Sequence, residues 1–216
     1  MRRLFDDEET RKMVNKTRRW LENGLQKGKK GVQRAWQEYR QEMARREREK
    51  DEREEFEAEF RYRDRELDFH MLISAEEASL YEQAKQKLQE MKRRSSDPQV
   101  HKEWEAKKYL TLHEHFTERI QYYFRRRLSD PVALHRAIRY CERQIEYAPV
   151  AKRAYQMDPM VTELPEHPGY DILVTLYEEA EEWEKALRLS QEAKEEGWGG
   201  DWEERIQQLK AWADAK

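Results

Sequence analysis

Apolar residues recur along most of this chain at spacings of three and four, the period of an amphipathic helix. Asp6 with Glu9 reads as a capping box opening a short helix whose stripe is Met13, Thr17, Trp20 and Leu21, with Gly24 as its stop. From Val32 the spacing becomes Val32, Trp36, Tyr39, Met43, as in a coiled-coil seam. The same phase then meets Arg46, Lys50, Arg53 and Glu57, and apolar residues return only at Phe60 and Leu67. Across 44–59, Arg and Lys alternate with Glu and Asp at helical neighbour distances, as in Arg45–Glu49 and Arg48–Glu52. Pairs of that kind add about 0.2–0.5 kcal/mol each and keep a helix formed without a core. The pattern therefore predicts a long charged arm spanning solvent, in preference to a continuous coiled-coil dimer. No β-branched run bounded by turn signals stands out, so no strand is expected.

Breaks divide the remainder of the chain. Ser74 and Glu77 form a second capping box, leading through Leu80, Tyr81, Ala84 and Leu88 to a basic end at Lys92-Arg93-Arg94. Asp97-Pro98 and Asp130-Pro131 are each an N-cap followed by proline at the first helical position. The first opens a helix bearing Trp104, Tyr109, Leu112, Phe116, Ile120, Tyr123 and Phe124; the second carries Leu134, Ile138, Cys141 and Ile145 and is expected to stop at Pro149. Residues 158–169 hold the densest cluster of breakers, a boundary or an ordered crossing loop. Helices over 169–180 and 183–196 come next, then Gly197-Trp198-Gly199-Gly200. A last helix, capped by Asp201 with Glu204, bears Trp202, Ile206, Leu209 and Trp212.

Composition fits long solvated helices with compact ends. Charged residues are 41% of the 216 and hydrophobic ones 37%, too little to wrap the whole chain round one interior. The single cysteine, Cys141, sits in an apolar helical pattern and reads as a small buried hydrophobe, which fits a reducing, cytoplasmic setting. No run approaches the roughly 20 apolar residues needed to cross a bilayer, so no membrane partner is expected. Residues 1–50 carry 16 Lys and Arg against 9 Asp and Glu, whereas residues 161–216 carry 6 against 15. The N-terminal end is thus suited to an anionic partner and the C-terminal end to a basic one.

In Tyr170–Ala193, the large Tyr170, then Leu173, the small Val174 and the aromatic Tyr177 precede Trp183, Ala186 and Ala193. In that order they resemble a tetratricopeptide repeat, with Glu181 standing where the family has its turn glycine. A fainter copy upstream aligns Ala137 with Ala186, Phe124 with Leu173 and Leu128 with Tyr177, and places Pro149 at the family's terminal proline. Its offset is 49 residues, against the family's usual period of about 34. The surplus falls in a helix-like stretch at 150–157 and the proline-rich loop. The resemblance implies protein or peptide binding without chemistry, and a partner surface on the first helix of each hairpin. Carried over by position, that surface is Tyr122 and Arg126 upstream, and Asp171, Thr175 and Glu178 downstream.

The expectation is an all-α, non-catalytic scaffold. It has a short helix and basic loop at 1–31, a charged helical arm at 32–94 through which a homo-oligomer can form, and a tetratricopeptide-like domain at 95–216. His113-Glu114-His115 reads as surface histidines and not as a metal site, since residues two apart on a helix point to different sides. No nucleophile elbow, phosphate loop or dinucleotide loop is present. No cofactor is expected. The alternative is nucleic-acid binding through the basic N-terminal residues Arg18, Arg19, Lys27, Lys29, Lys30 and Arg34, which are interleaved with Trp20.

Overall fold

The computed structural model describes residues 58–158 and 161–214 and, before them, the single helical residue Gln37. Apart from Gln37, the short N-terminal helix, the basic loop and the charged arm as far as residue 57 lie outside the described residues.

The first described element corrects the expectation of helix throughout. Two antiparallel strands, β1 (Ala58–Arg63) and β2 (Asp68–Ile73), pair with Phe60 opposite Met71 and Tyr62 opposite Phe69. Phe60, Tyr62, Met71 and Ile73 are buried, while Glu59, Arg61 and His70 face solvent. This period-two alternation puts alternate residues on opposite faces. It is hidden in the sequence because its outward positions are mostly charged, continuing the charged pattern upstream, and Ile73 is the one β-branched residue among its inward ones. Asp64 shapes the turn. Its Oδ1 accepts the Glu66 and Leu67 amides at 2.8 and 2.7 Å, and those bonds hold its carboxyl below the usual range.

Six helices come after the hairpin among the described residues: α1 (Ala75–Arg94), α2 (Pro98–Phe124), α3 (Pro131–Met157), α4 (Pro168–Glu179), α5 (Trp183–Glu196) and α6 (Trp202–Asp214). Three of the caps are those the sequence announces. Ser74 and Glu77 close a reciprocal capping box on α1, and Asp97 and Asp130 accept N-terminal amides of α2 and α3. Each helix packs on its neighbours in sequence, and α2 also meets α4. Bonds from Arg136 to Tyr123, Gln144 to His113 and Tyr147 to Tyr109 show α2 and α3 running antiparallel. One buried cluster joins the hairpin to all the helices from α2 to α6, with α1 packed against it through Ala78 and Tyr81. Residues 58–94 therefore share the core of residues 95–214, and are not a separate arm.

Pro149 does not stop α3, which continues for two more turns to Met157. A proline inside a helix costs about 3 kcal/mol through its missing N–H and the clash with the preceding turn. Here Pro149 lies on the exposed side while Tyr147, Ala148, Val150, Ala151 and Ala154 are buried, so packing outweighs the local cost. The stretch 150–157 is thus the end of α3.

The turn from α4 to α5 places Glu181 at φ 58°, the left-handed region that favours glycine. Glu181→Gly is expected to stabilise the protein by about 0.5–1 kcal/mol, the relief of backbone strain less the entropy of a freer unfolded chain. Chemical denaturation of parent and variant checks this; an unchanged or lower midpoint would show that the turn carries no strain.

Candidate partner-binding site

The surface of α4 is built by one side chain arriving from α6. Arg205 Nη1 donates to Asp171 Oδ1 at 2.7 Å, Nη2 to Thr175 Oγ1 at 2.7 Å, and Nε to Glu178 Oε1 at 2.8 Å. The structure thus brings together the three downstream residues singled out from the sequence, but gathers them round an internal guanidinium. Burial disfavours the Arg205 charge, yet the bonds it donates to Glu178 and Asp171 outweigh this and hold its pKa above the ordinary value. Arg205 is not among the sequence candidates. The signal is present all the same: it shares the apolar face of α6 with Trp202, Ile206 and Leu209, an odd place for an arginine that has no partner.

Beside this network opens a cleft of about 420 Å³. Glu166, Asp171, Glu178, Asp201 and Glu204 line it against the single positive charge of Arg205. Trp202 and Trp212 form its aromatic walls, the first buried and the second 45% exposed. Its rim is fixed by backbone contact. The Gly199 amide donates to Pro165 O at 3.0 Å, and a Cβ at Gly199 would lie 2.9 Å from Leu164 O. The proline-rich segment is therefore an ordered crossing loop where it meets residues 197–200.

The upstream pair sits elsewhere. Tyr122 and Arg126 lie one turn apart at the end of α2, with the Arg126 guanidinium 3.8 Å from the Tyr122 ring and Nη1 donating to Tyr122 O at 3.0 Å. Tyr122 is 49% exposed. Neither residue lines the acidic cleft. Arg127, next to them, makes a two-pronged pair with Glu179 at 2.6 and 3.1 Å and ties this corner to the end of α4. The alternative nucleic-acid residues Arg18, Arg19, Lys27, Lys29, Lys30 and Arg34 lie outside the described residues.

His113 and His115 are both buried, which corrects their reading as surface residues. His113 meets His167 at 5.0 Å between ring centroids, and Trp198 packs on both, stacked on His113 at 6.1 Å and edge-on to His167 at 4.5 Å. His167 Nδ1 accepts the Tyr170 amide, so its proton sits on Nε2. Burial lowers the His113 pKa to about 4; burial together with the neighbouring His113 lowers that of His167 to about 3. The unfolded chain takes up these protons near the ordinary value of about 6.5, so it binds more protons than the folded state below that pH. Stability is expected to be full above pH ~6.5 and to fall as pH drops toward 4, with His113→Phe flattening the decline. Urea midpoints measured across that range check it; a midpoint independent of pH would place these imidazoles in water. Cys141 is wholly buried, and burial pushes its thiol well up, as for a packing residue.

Among the described residues no group of three or more His, Cys, Asp or Glu is placed to hold a metal ion, and no helix is long and apolar enough to cross a membrane. Comparison with family models, with curated proteins and with solved structures returned no match.

Proposed function

We propose that this chain is a non-catalytic, cytoplasmic protein-interaction scaffold whose C-terminal hairpins, similar to tetratricopeptide repeats, hold a basic segment of a partner protein. The acidic cleft beside α4 and α6 carries this reading: five carboxylates face one guanidinium, next to an exposed tryptophan. A lysine or arginine entering it meets surplus negative charge and an indole face, the two attractions that recognise a cation on a peptide. Arg205 holds Asp171, Thr175 and Glu178 in place, so the cleft has little ordering left to do on binding. Tyr122 and Arg126 offer a second contact for a longer segment.

The test is a titration of the full chain with a Lys/Arg-rich peptide, monitored by tryptophan fluorescence. Glu166 and Glu204 are exposed cleft residues outside the Arg205 network, so Glu166→Lys with Glu204→Lys leaves that network intact. The parent is expected to bind saturably and the double variant at least tenfold more weakly. Equal binding by both, or none by the parent, would remove the reading.

A further inference from the structure

The corner between α2 and α3, residues 125–130, carries the charge and the apolar surface that would complement the acidic cleft. Arg125 and Arg126 are exposed there and enter no ion pair among the described residues. Tyr122, Leu128 and Val132, each about half exposed, flank them in sequence. The other large apolar side chains so exposed among the described residues are Leu72 and Trp212, and Trp212 is a wall of the cleft. Four of these five thus belong to the corner or to the cleft. Exposed apolar groups gathered within a rim of charge mark an interaction surface.

The charges of the two correspond. In the cleft, Asp171 and Glu178 are held by Arg205, while Glu166, Asp201 and Glu204 enter no ion pair among the described residues. Corner and cleft also border the same end of α4. Arg127 grips Glu179 at 2.6 Å, and Glu178, next to it in sequence, is a cleft carboxylate.

We infer that, without a partner, two copies of this chain form a two-fold dimer in which the α2–α3 corner of each docks in the acidic cleft of the other. The inference rests on the reading of the cleft as a site for a basic segment, and names a segment that fills it. One molecule holds both halves of the complementary surface, and a contact about a two-fold axis uses both twice. A peptide rich in lysine or arginine offers only the basic half. Arg125 and Arg126 meet the three carboxylates outside the Arg205 network, in the fork geometry that guanidinium makes with carboxylate. Tyr122, Leu128 and Val132 cover Trp212. A partner segment entering the cleft has to displace the corner, so partner binding and dimerisation exclude each other.

The experiment is sedimentation velocity of the full chain over a concentration series, at low and high salt, with and without a Lys/Arg-rich peptide. A monomer–dimer equilibrium is expected, weakened by salt and reversed by the peptide. Arg125→Glu with Arg126→Glu is expected to weaken dimerisation at least tenfold, and so is Glu166→Lys with Glu204→Lys. An equimolar mixture of the two double variants is expected to recover the dimer, because a reversed corner then meets a reversed cleft. Leu128→Glu, at an exposed position, gives the same loss and serves if the corner double variant folds poorly. A parent chain that stays monomeric while binding the peptide overturns this inference and leaves the reading of the cleft standing; a monomer that binds no peptide overturns both. A mixture that stays monomeric, or corner variants that dimerise like the parent, overturn it too. If in that case the cleft variant alone loses the dimer, the cleft takes another basic segment, such as residues 1–50; if no variant loses it, the copies meet elsewhere.

Discussion

Glu77→Ala is expected to cost the fold about 3–5 kcal/mol, the usual penalty for breaking a buried ion pair from one side. Glu77 is 2% exposed and the Arg143 side chain facing it 11%. Its carboxylate serves two purposes at once. Oε2 accepts the Ser74 amide at 2.9 Å to complete the capping box, and the same atom takes the Arg143 bond at 2.7 Å. Alanine removes the side-chain half of the capping box and takes the Glu77 carboxylate away from the largely buried Arg143 guanidinium. Urea unfolding measures the loss. Glu77→Met combined with Arg143→Met is expected to recover much of it, since replacing both partners of a buried pair by apolar groups is often neutral. A loss below about 1 kcal/mol in the single variant would mean that water reaches the pair as it does at a surface.

Gln144→Ala is expected to cost about 2–4 kcal/mol, combining unpaired buried backbone groups with a cavity. Gln144 is fully buried in the middle of α3. Its Nε2 donates to His113 O at 2.9 Å and to Thr117 Oγ1 at 2.6 Å on α2, and its Oε1 accepts the Gly169 amide at 2.7 Å on α4. One amide thus pins three helices and satisfies a donor in the first turn of α4 that the helix itself leaves unpaired. The approach is close enough to require glycine, since a Cβ at 169 would stand 2.9 Å from Oε1. Beyond the fall in stability, the Gly169 amide is expected to exchange much faster in native-state hydrogen exchange. Retained protection at Gly169 would show that another acceptor takes over.

What the sequence could show was local. The start of α1 at Ser74, the Asp-Pro restarts of α2 and α3, and the α4–α5 hairpin were legible because caps, prolines and helical spacing act within a few residues. Glu181 was legible as a turn position, and its backbone is left-handed. The corrections concern groups whose surroundings arrive from far along the chain. His113 is buried because His167 and Trp198 reach it, and Pro149 continues a helix because its neighbours pack inward. Of the candidate site, the row Asp171, Thr175, Glu178 came from the resemblance to tetratricopeptide repeats, which marks positions on the first helix of a hairpin. Its partner Arg205 and the carboxylates of Glu166, Asp201 and Glu204 come from other segments, and only folding assembles them.

The small hairpin also decides where an independently stable fragment can begin. Phe60 drives its ring edge-on against Tyr81 at 5.0 Å, Tyr147 at 5.3 Å and Tyr109 at 6.4 Å, closing one end of the helical stack. Cutting the chain at Ser74, where the first long described helix is about to start, discards Phe60, Tyr62, Met71 and Ile73 from the interior. Each such side chain contributes about 1.5–3 kcal/mol by its burial. The cut also bares a tyrosine-lined face of the kind that makes proteins stick to one another. A stable fragment therefore has to include Ala58, and a polypeptide trimmed to its helices is left open on one side.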